Sequence, residues 1–105
     1  MSNFIQAGNA TNNGTIVSSD TSGILLIQSG SSGTTAITID ANQNSAFAGT
    51  VKMATYTVAA LPSAGAIGRR AIVTNALAPT FLTSVVGGGA IVVPVYDNGT
   101  AWVVG

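Results

Sequence analysis

Six charged residues must keep this 105-residue chain in water: Asp20, Asp40, Asp97, Lys52, Arg69 and Arg70. They are 6% of the sequence against 47% hydrophobic residues, whereas a soluble domain carries roughly 25% charged residues. A domain of this size buries only about 60–68% of the surface its unfolded chain exposes. Apolar surface that a small fold cannot hide within itself has to be hidden against other chains. The composition therefore predicts an obligate oligomer, an assembly protein rather than a free monomer.

The same inventory excludes several kinds of function. The formal net charge is zero, so no basic field exists to neutralise nucleic-acid phosphates. Near-zero net charge also gives no repulsion against association. With no His and no Cys, a Ser-His-Asp triad, a Cys-His pair, a disulfide and a His- or thiolate-held metal cannot be built. Glycosidase chemistry needs two carboxylates about 5–10 Å apart, and the three Asp residues fall in different predicted elements. Gly87-Gly88-Gly89 lacks the Lys-Ser/Thr of a phosphate loop and any following helix; it reads as a loop or a place of close chain packing. No enzymatic activity and no cofactor are expected. Residues 1–6 carry neither a basic nor an apolar leader region, and no apolar run nears the roughly 18–20 residues that span a bilayer. The expectation is synthesis in the cytoplasm without a targeting signal, and no membrane partner.

Gly, Thr, Ser and Asn punctuate the chain at short intervals, with β-branched runs between them, which reads as all-β. Strands are predicted over residues 14–18, 23–28, 34–40 and 45–52, then 56–60 and 70–75. Ile37 and Ile39 alternate with Thr38 and Asp40, so that strand has one apolar face. Residues 24–27 are apolar on both faces, as in a strand buried on both sides. The first half is too rich in Gly, Ser and Thr to build its own core, so its strands are expected to pair with other chains. Two parts follow: residues 1–53, an N-terminal arm or foot carrying interchain contacts and attachment, and residues 54–105, a C-terminal β knob.

The clearest local signal closes the knob. Residues 90–96 and 100–104 flank Asp97-Asn98-Gly99, and Asn98-Gly99 is the preferred pair for a two-residue type I′ turn. That turn would set Asp97 opposite Thr100 and Val95 opposite Trp102. It puts Val93, Val95, Trp102 and Val104 on one apolar face as the structural core, and leaves Pro94 tolerable only at an edge or bulge. Trp102, Tyr56, Tyr96 and Phe81 read either as a sugar-binding surface or as packing, and the apolar face around Trp102 favours packing. Arg69-Arg70, the only positive pair, reads as a docking point for an acidic surface, a solvated strand start, or a partner for an Asp across a subunit boundary.

Residues 56–65, Tyr-Thr-Val-Ala-Ala-Leu-Pro-Ser-Ala-Gly, lead to Gly68-Arg69-Arg70-Ala71-Ile72-Val73-Thr74. Gly87-Gly88-Gly89-Ala90 precedes Val93-Pro94-Val95-Tyr96, Asp97-Asn98-Gly99-Thr100 and Trp102-Val103-Val104-Gly105. Both stretches resemble a module in virion proteins of tailed bacteriophages, and residues 36–44 resemble the repetitive β lead-in of tail fibres. The resemblance implies an intertwined, β-rich homotrimer located in the virion, made in the host cytoplasm, with the major capsid protein or another virion protein as partner. The chain lacks the long shaft of a fibre, which favours a capsid decoration (cement) protein over a short tail fibre, a spike or a receptor- and glycan-binding module. Arg69 and Arg70 then become the candidate capsid-docking residues.

Overall fold

The computed structural model describes residues 21–105. The strand expected over residues 14–18 and the charge of Asp20 lie outside the described residues. The chain divides into two compact units, Met1–Val51 and Lys52–Gly105. Their described residues hold two small sheets and one short 3-10 turn, an essentially all-β architecture.

The N-terminal unit contains an antiparallel meander of β1 (Leu25–Ser29), β2 (Thr34–Ile39) and β3 (Ser45–Phe47). Its first turn uses Gly30 and Gly33 at φ 82° and 65°, a left-handed backbone that glycine adopts without a Cβ penalty. The second turn is tied by Asp40, whose Oδ1 accepts from the backbone N–H of Asn42 and of Asn44, each at 2.9 Å. In register, Leu25 faces Ile39, Ile27 faces Ile37, and Ile37 faces Phe47 across β3. Residues directly opposite share a sheet face, so Leu25, Ile27, Ile37, Ile39 and Phe47 line one side. The pairing shifts after Ile27, leaving Ala36 as an extra residue, a bulge.

Two expectations are not met within the single chain. β1 is an outer strand, and Leu26 and Ile27 are 48% and 46% exposed, so the chain by itself does not bury both faces of residues 24–27. The strand expected over residues 45–52 stops at Phe47; the Ala48 N–H still donates to the Ala36 carbonyl at 2.9 Å, and the ladder ends there, at the bulge of β2.

The C-terminal unit runs β4 (Thr55–Tyr56), a 3-10 turn (Val58–Ala60), β5 (Arg70–Ala76), β6 (Ile91–Asp97) and β7 (Trp102–Val104). The sheet order is β4-β5-β6-β7, with β4 parallel to β5 and the other pairs antiparallel. A further segment extends it. Leu82 donates to the Val104 carbonyl at 2.8 Å, Val104 to Thr83 at 2.9 Å and Val85 to Trp102 at 3.0 Å. Leu77 then donates to the Val86 carbonyl at 2.8 Å, and Gly87 bridges Ala76. Backbone that begins along β7 thus ends along β5. The hydrogen-bonded ring encloses Ala71, Val73, Ala76, Val95 and Trp102, with Tyr56, Val58, Leu61, Val85 and Val93 packed against them.

Residues 56–60 do not form the expected strand. Asn75 Oδ1 accepts from the Val58 N–H at 2.8 Å, which takes that donor out of the ladder and turns the chain into the 3-10 turn. The terminal hairpin forms with a different turn. Val95 faces Val104 and Asp97 faces Trp102, a slip of two residues from the type I′ register, so four residues make the loop. Gly99 has φ 94° whereas Asn98 is not left-handed, and type I′ needs both. A one-residue slip exchanges the faces of a strand; two residues preserve them. Val95, Trp102 and Val104 are accordingly buried and Val93 half-buried.

Pro94 lies on an inner strand rather than an edge, opposite Ile72 of β5. Its carbonyl accepts from Gly105 at 3.1 Å, so its nitrogen also points toward that side of the ladder. β7 has ended at Val104 there, and the missing donor breaks no strand pairing.

Candidate functional site

The charges of the knob meet at one end of its sheet. Asp97 closes β6 with no solvent exposure. Its Oδ2 takes the Arg69 Nη2 at 2.6 Å, the Ala66 N–H at 2.8 Å and the Gly65 N–H at 2.9 Å. Its Oδ1 takes the Gly99 N–H at 2.8 Å. Burying an ionised carboxylate is costly unless it is paired and hydrogen-bonded, and here donors surround it. Burial alone would raise its pKa. The hydrogen bond from Arg69, followed by those from the Gly99, Ala66 and Gly65 N–H groups, outweighs burial and holds the carboxyl far below the ordinary Asp range.

Arg69 is the hub of this cluster. Its Nη2 also donates to the Ser63 carbonyl at 2.7 Å, and its guanidinium carbon stands 5.1 Å from the centroid of the Trp102 ring. Trp102 donates from Nε1 to the Pro62 carbonyl at 2.7 Å. Residues 62–69 are thereby bolted to the hairpin by one carboxylate, one guanidinium and one indole. The arrangement holds a loop in place. A carboxylate with this many donors has no spare affinity for a substrate proton.

The two arginines are separated by the alternation of the strand. Arg69 serves the cluster inside the chain, where its ion pair is with Asp97 of the same chain. Arg70 is exposed, donates to the Gly105 carbonyl at 2.7 Å and lies 6.0 Å from the Tyr96 ring. Of the two residues expected to dock, Arg70 is the more exposed, while the Arg69 side chain, 39% exposed, is committed to the cluster. The role of Asp97 escapes a reading of the sequence that assigns Asp to turns. The available signal was its being the single acid in the second half, alongside an arginine pair.

The other candidate is a surface. Among the described residues, none behind the apolar face of β1–β3 is buried: Phe47 is 52% exposed, and Leu25, Ile37 and Ile39 are only partly covered. In the knob, residues 71–96 contain no charge at all. The end of its sheet opposite Arg69 and Asp97 displays Leu77, Val86, Ile91 and Val92. Among the described residues there is no ligand-sized cavity and no group of three or more metal-ligating side chains. Nor is any of their helices long and apolar enough to cross a membrane. Comparison of the chain with protein-family models, with curated proteins and with solved structures finds no match.

Proposed function

We propose that this chain is a non-enzymatic, homotrimeric bacteriophage virion protein that binds the outside of the capsid and ties neighbouring major capsid subunits together. The observation that carries the assembly part is the apolar sheet face of the N-terminal unit, behind which no described residue is buried, in a chain with six charges. The capsid part rests on the resemblance of residues 56–74 and 87–105 to virion modules. A protein that binds only the assembled lattice stabilises it by mass action. Three linked copies multiply weak contacts through effective concentration. Arg70, exposed beside Tyr96, is the cation better placed to meet an acidic capsid surface.

The same resemblance leaves a short tail fibre or spike as the rival. A glycan-binding surface loses ground because Trp102 and Tyr56 pack in and around the core. A quantitative gel of purified virions separates the readings: a decoration protein is present at hundreds of copies per particle, a fibre at tens or fewer. Light scattering should give three times the 10.3 kDa chain mass. A dispersed, folded monomer at micromolar concentration would sink the proposal.

A further inference from the structure

A protease that selects cationic side chains has only three places to cut this chain, after Lys52, Arg69 and Arg70. The fold treats them unequally. Cleavage needs several residues around the bond to lie extended in the enzyme's cleft, so folded chains are nicked where the backbone is exposed and untied. Two of the three sites are closed. The Arg69 guanidinium donates at 2.6 Å to the buried carboxylate of Asp97 and at 2.7 Å to the Ser63 carbonyl. Arg70 opens β5 and donates to the Gly105 carbonyl at 2.7 Å; Ala71 and Val73, just after it, are 2% and 0% exposed. Presenting either bond to an enzyme means drawing β5 out from between β4 and β6, which unfolds the C-terminal unit.

Lys52 differs on every count. The N-terminal sheet is last tied where the Ala48 N–H donates to the Ala36 carbonyl, and the C-terminal unit is first tied where the Ala54 carbonyl accepts from the Ile72 N–H, each at 2.9 Å. Residues 49–53 belong to no strand and, among the described residues, make no hydrogen bond. Residues 49–52 are all exposed. The one ion pair among the described residues is that of Arg69 with Asp97, so no carboxylate there holds the Lys52 ammonium. The knob's core and the side chains packed against it run from Tyr56 to Val104, entirely on one side of the Lys52–Met53 bond. We propose that this bond is a built-in processing site for a serine protease of the trypsin type, and that cutting it frees residues 53–105 as a folded unit. The exposed ammonium enters the acidic pocket of such an enzyme. The enzyme's serine oxygen bonds to the Lys52 carbonyl carbon, the carbon–nitrogen bond breaks, and the Met53 nitrogen leaves with a proton as a new amino group. Water then takes the acyl group from the serine, leaving a carboxylate on Lys52.

Limited digestion of the full chain with trypsin tests this, followed by intact-mass spectrometry and by Trp102 emission. The first products should be residues 1–52 and 53–105, and the emission should not change as that cut goes to completion. Lys52→Gln should stay intact over the time in which the unaltered chain is fully cut, because the remaining sites wait for the knob to open. Lys52→Arg should restore cutting at the same bond. First cleavage after Arg69 or Arg70, equal cutting of Lys52→Gln, or a chain that resists trypsin until urea unfolds it would each overturn the site. An emission that shifts to that of free indole on cutting would overturn the release of a folded unit.

Discussion

At the scale of single residues, Asp97 makes the knob sensitive to acid. Its folded pKa is depressed, so its stabilising contribution is complete above the ordinary Asp value of about 3.9 and is lost as pH falls through that value toward the folded one. Asp40 contributes with the same sign, held low first by the backbone and side-chain hydrogen bonds of Asn44. The chain has no His, the residue whose charge ordinarily changes between pH 5 and 8. Urea midpoints should therefore stay level from about pH 5 to 7 and drop below about pH 4. Asp97→Asn should lower the midpoint at neutral pH and flatten the acid slope, whereas Asp40→Asn should leave most of the slope. An unaltered slope in Asp97→Asn would show that the carboxylate is not the acid-sensitive group. Trp102→Ala removes the indole that fills the core and supports Arg69. It should cost about 3–5 kcal/mol, a large part of the roughly 5–15 kcal/mol a domain has, as measured by chemical denaturation. Native indole emission should be blue-shifted and poorly quenched by iodide.

At the scale of elements, the hairpin shows what a sequence can disclose. The faces of β6 and β7 are legible because alternation has a period of two. They survive the slip that moves Val95 from Trp102 to Val104. The turn type is not legible. It depends on where the Asp97 carboxylate goes, and its donors Gly65, Ala66 and Arg69 are about thirty residues away in the chain. The same holds for Val58, turned out of a strand by Asn75. Asp97 itself looked like turn punctuation, and only the packed loop of residues 62–69 makes it the anchor of the cluster. The glycine triplet reads in the sequence as a loop or a place of close packing, and the structure shows close packing at one of its residues. A Cβ on Gly89 would overlap the Ala76 carbonyl oxygen and come within 2.8 Å of Leu77 Cα. Gly89→Ala must push the 76–77 backbone away from the strand that closes the ring. The expected cost is about 1–3 kcal/mol or more, whereas Gly88→Ala meets no atom within 4 Å and faces only the strain of φ 100°. Comparing the thermal midpoints of the two variants separates a steric cause from a conformational one.

For the whole molecule, three positive and three negative charges leave electrostatics little part in the proposed assembly of copies. Association through uncharged faces should be nearly indifferent to sodium chloride up to about 1 M, where the screening length is only about 3 Å. Sulfate should strengthen it and cooling should weaken it, because both act on apolar burial. Sedimentation at several salt concentrations and temperatures checks this. Dissociation by sodium chloride alone would point to ion pairs between copies.

The turn at Asn98 also bears on how the protein ages. An Asn followed by Gly is prone to lose ammonia when the next backbone nitrogen attacks the side-chain amide carbon and closes a succinimide ring. Here the Gly99 nitrogen donates to Asp97 Oδ1 at 2.8 Å, and the Asn98 amide oxygen accepts from Thr100 and Ala101, each at 2.9 Å. The attacking N–H is engaged and the two bonds to the amide oxygen fix the side chain's orientation, so ring closure requires the turn to open first. During weeks at mildly alkaline pH, a peptide of residues 96–101 should deamidate well before the folded protein, as followed by mass spectrometry. Equal rates would mean that the turn opens freely. The carboxylate that ties the knob together would thus also protect its weakest covalent point.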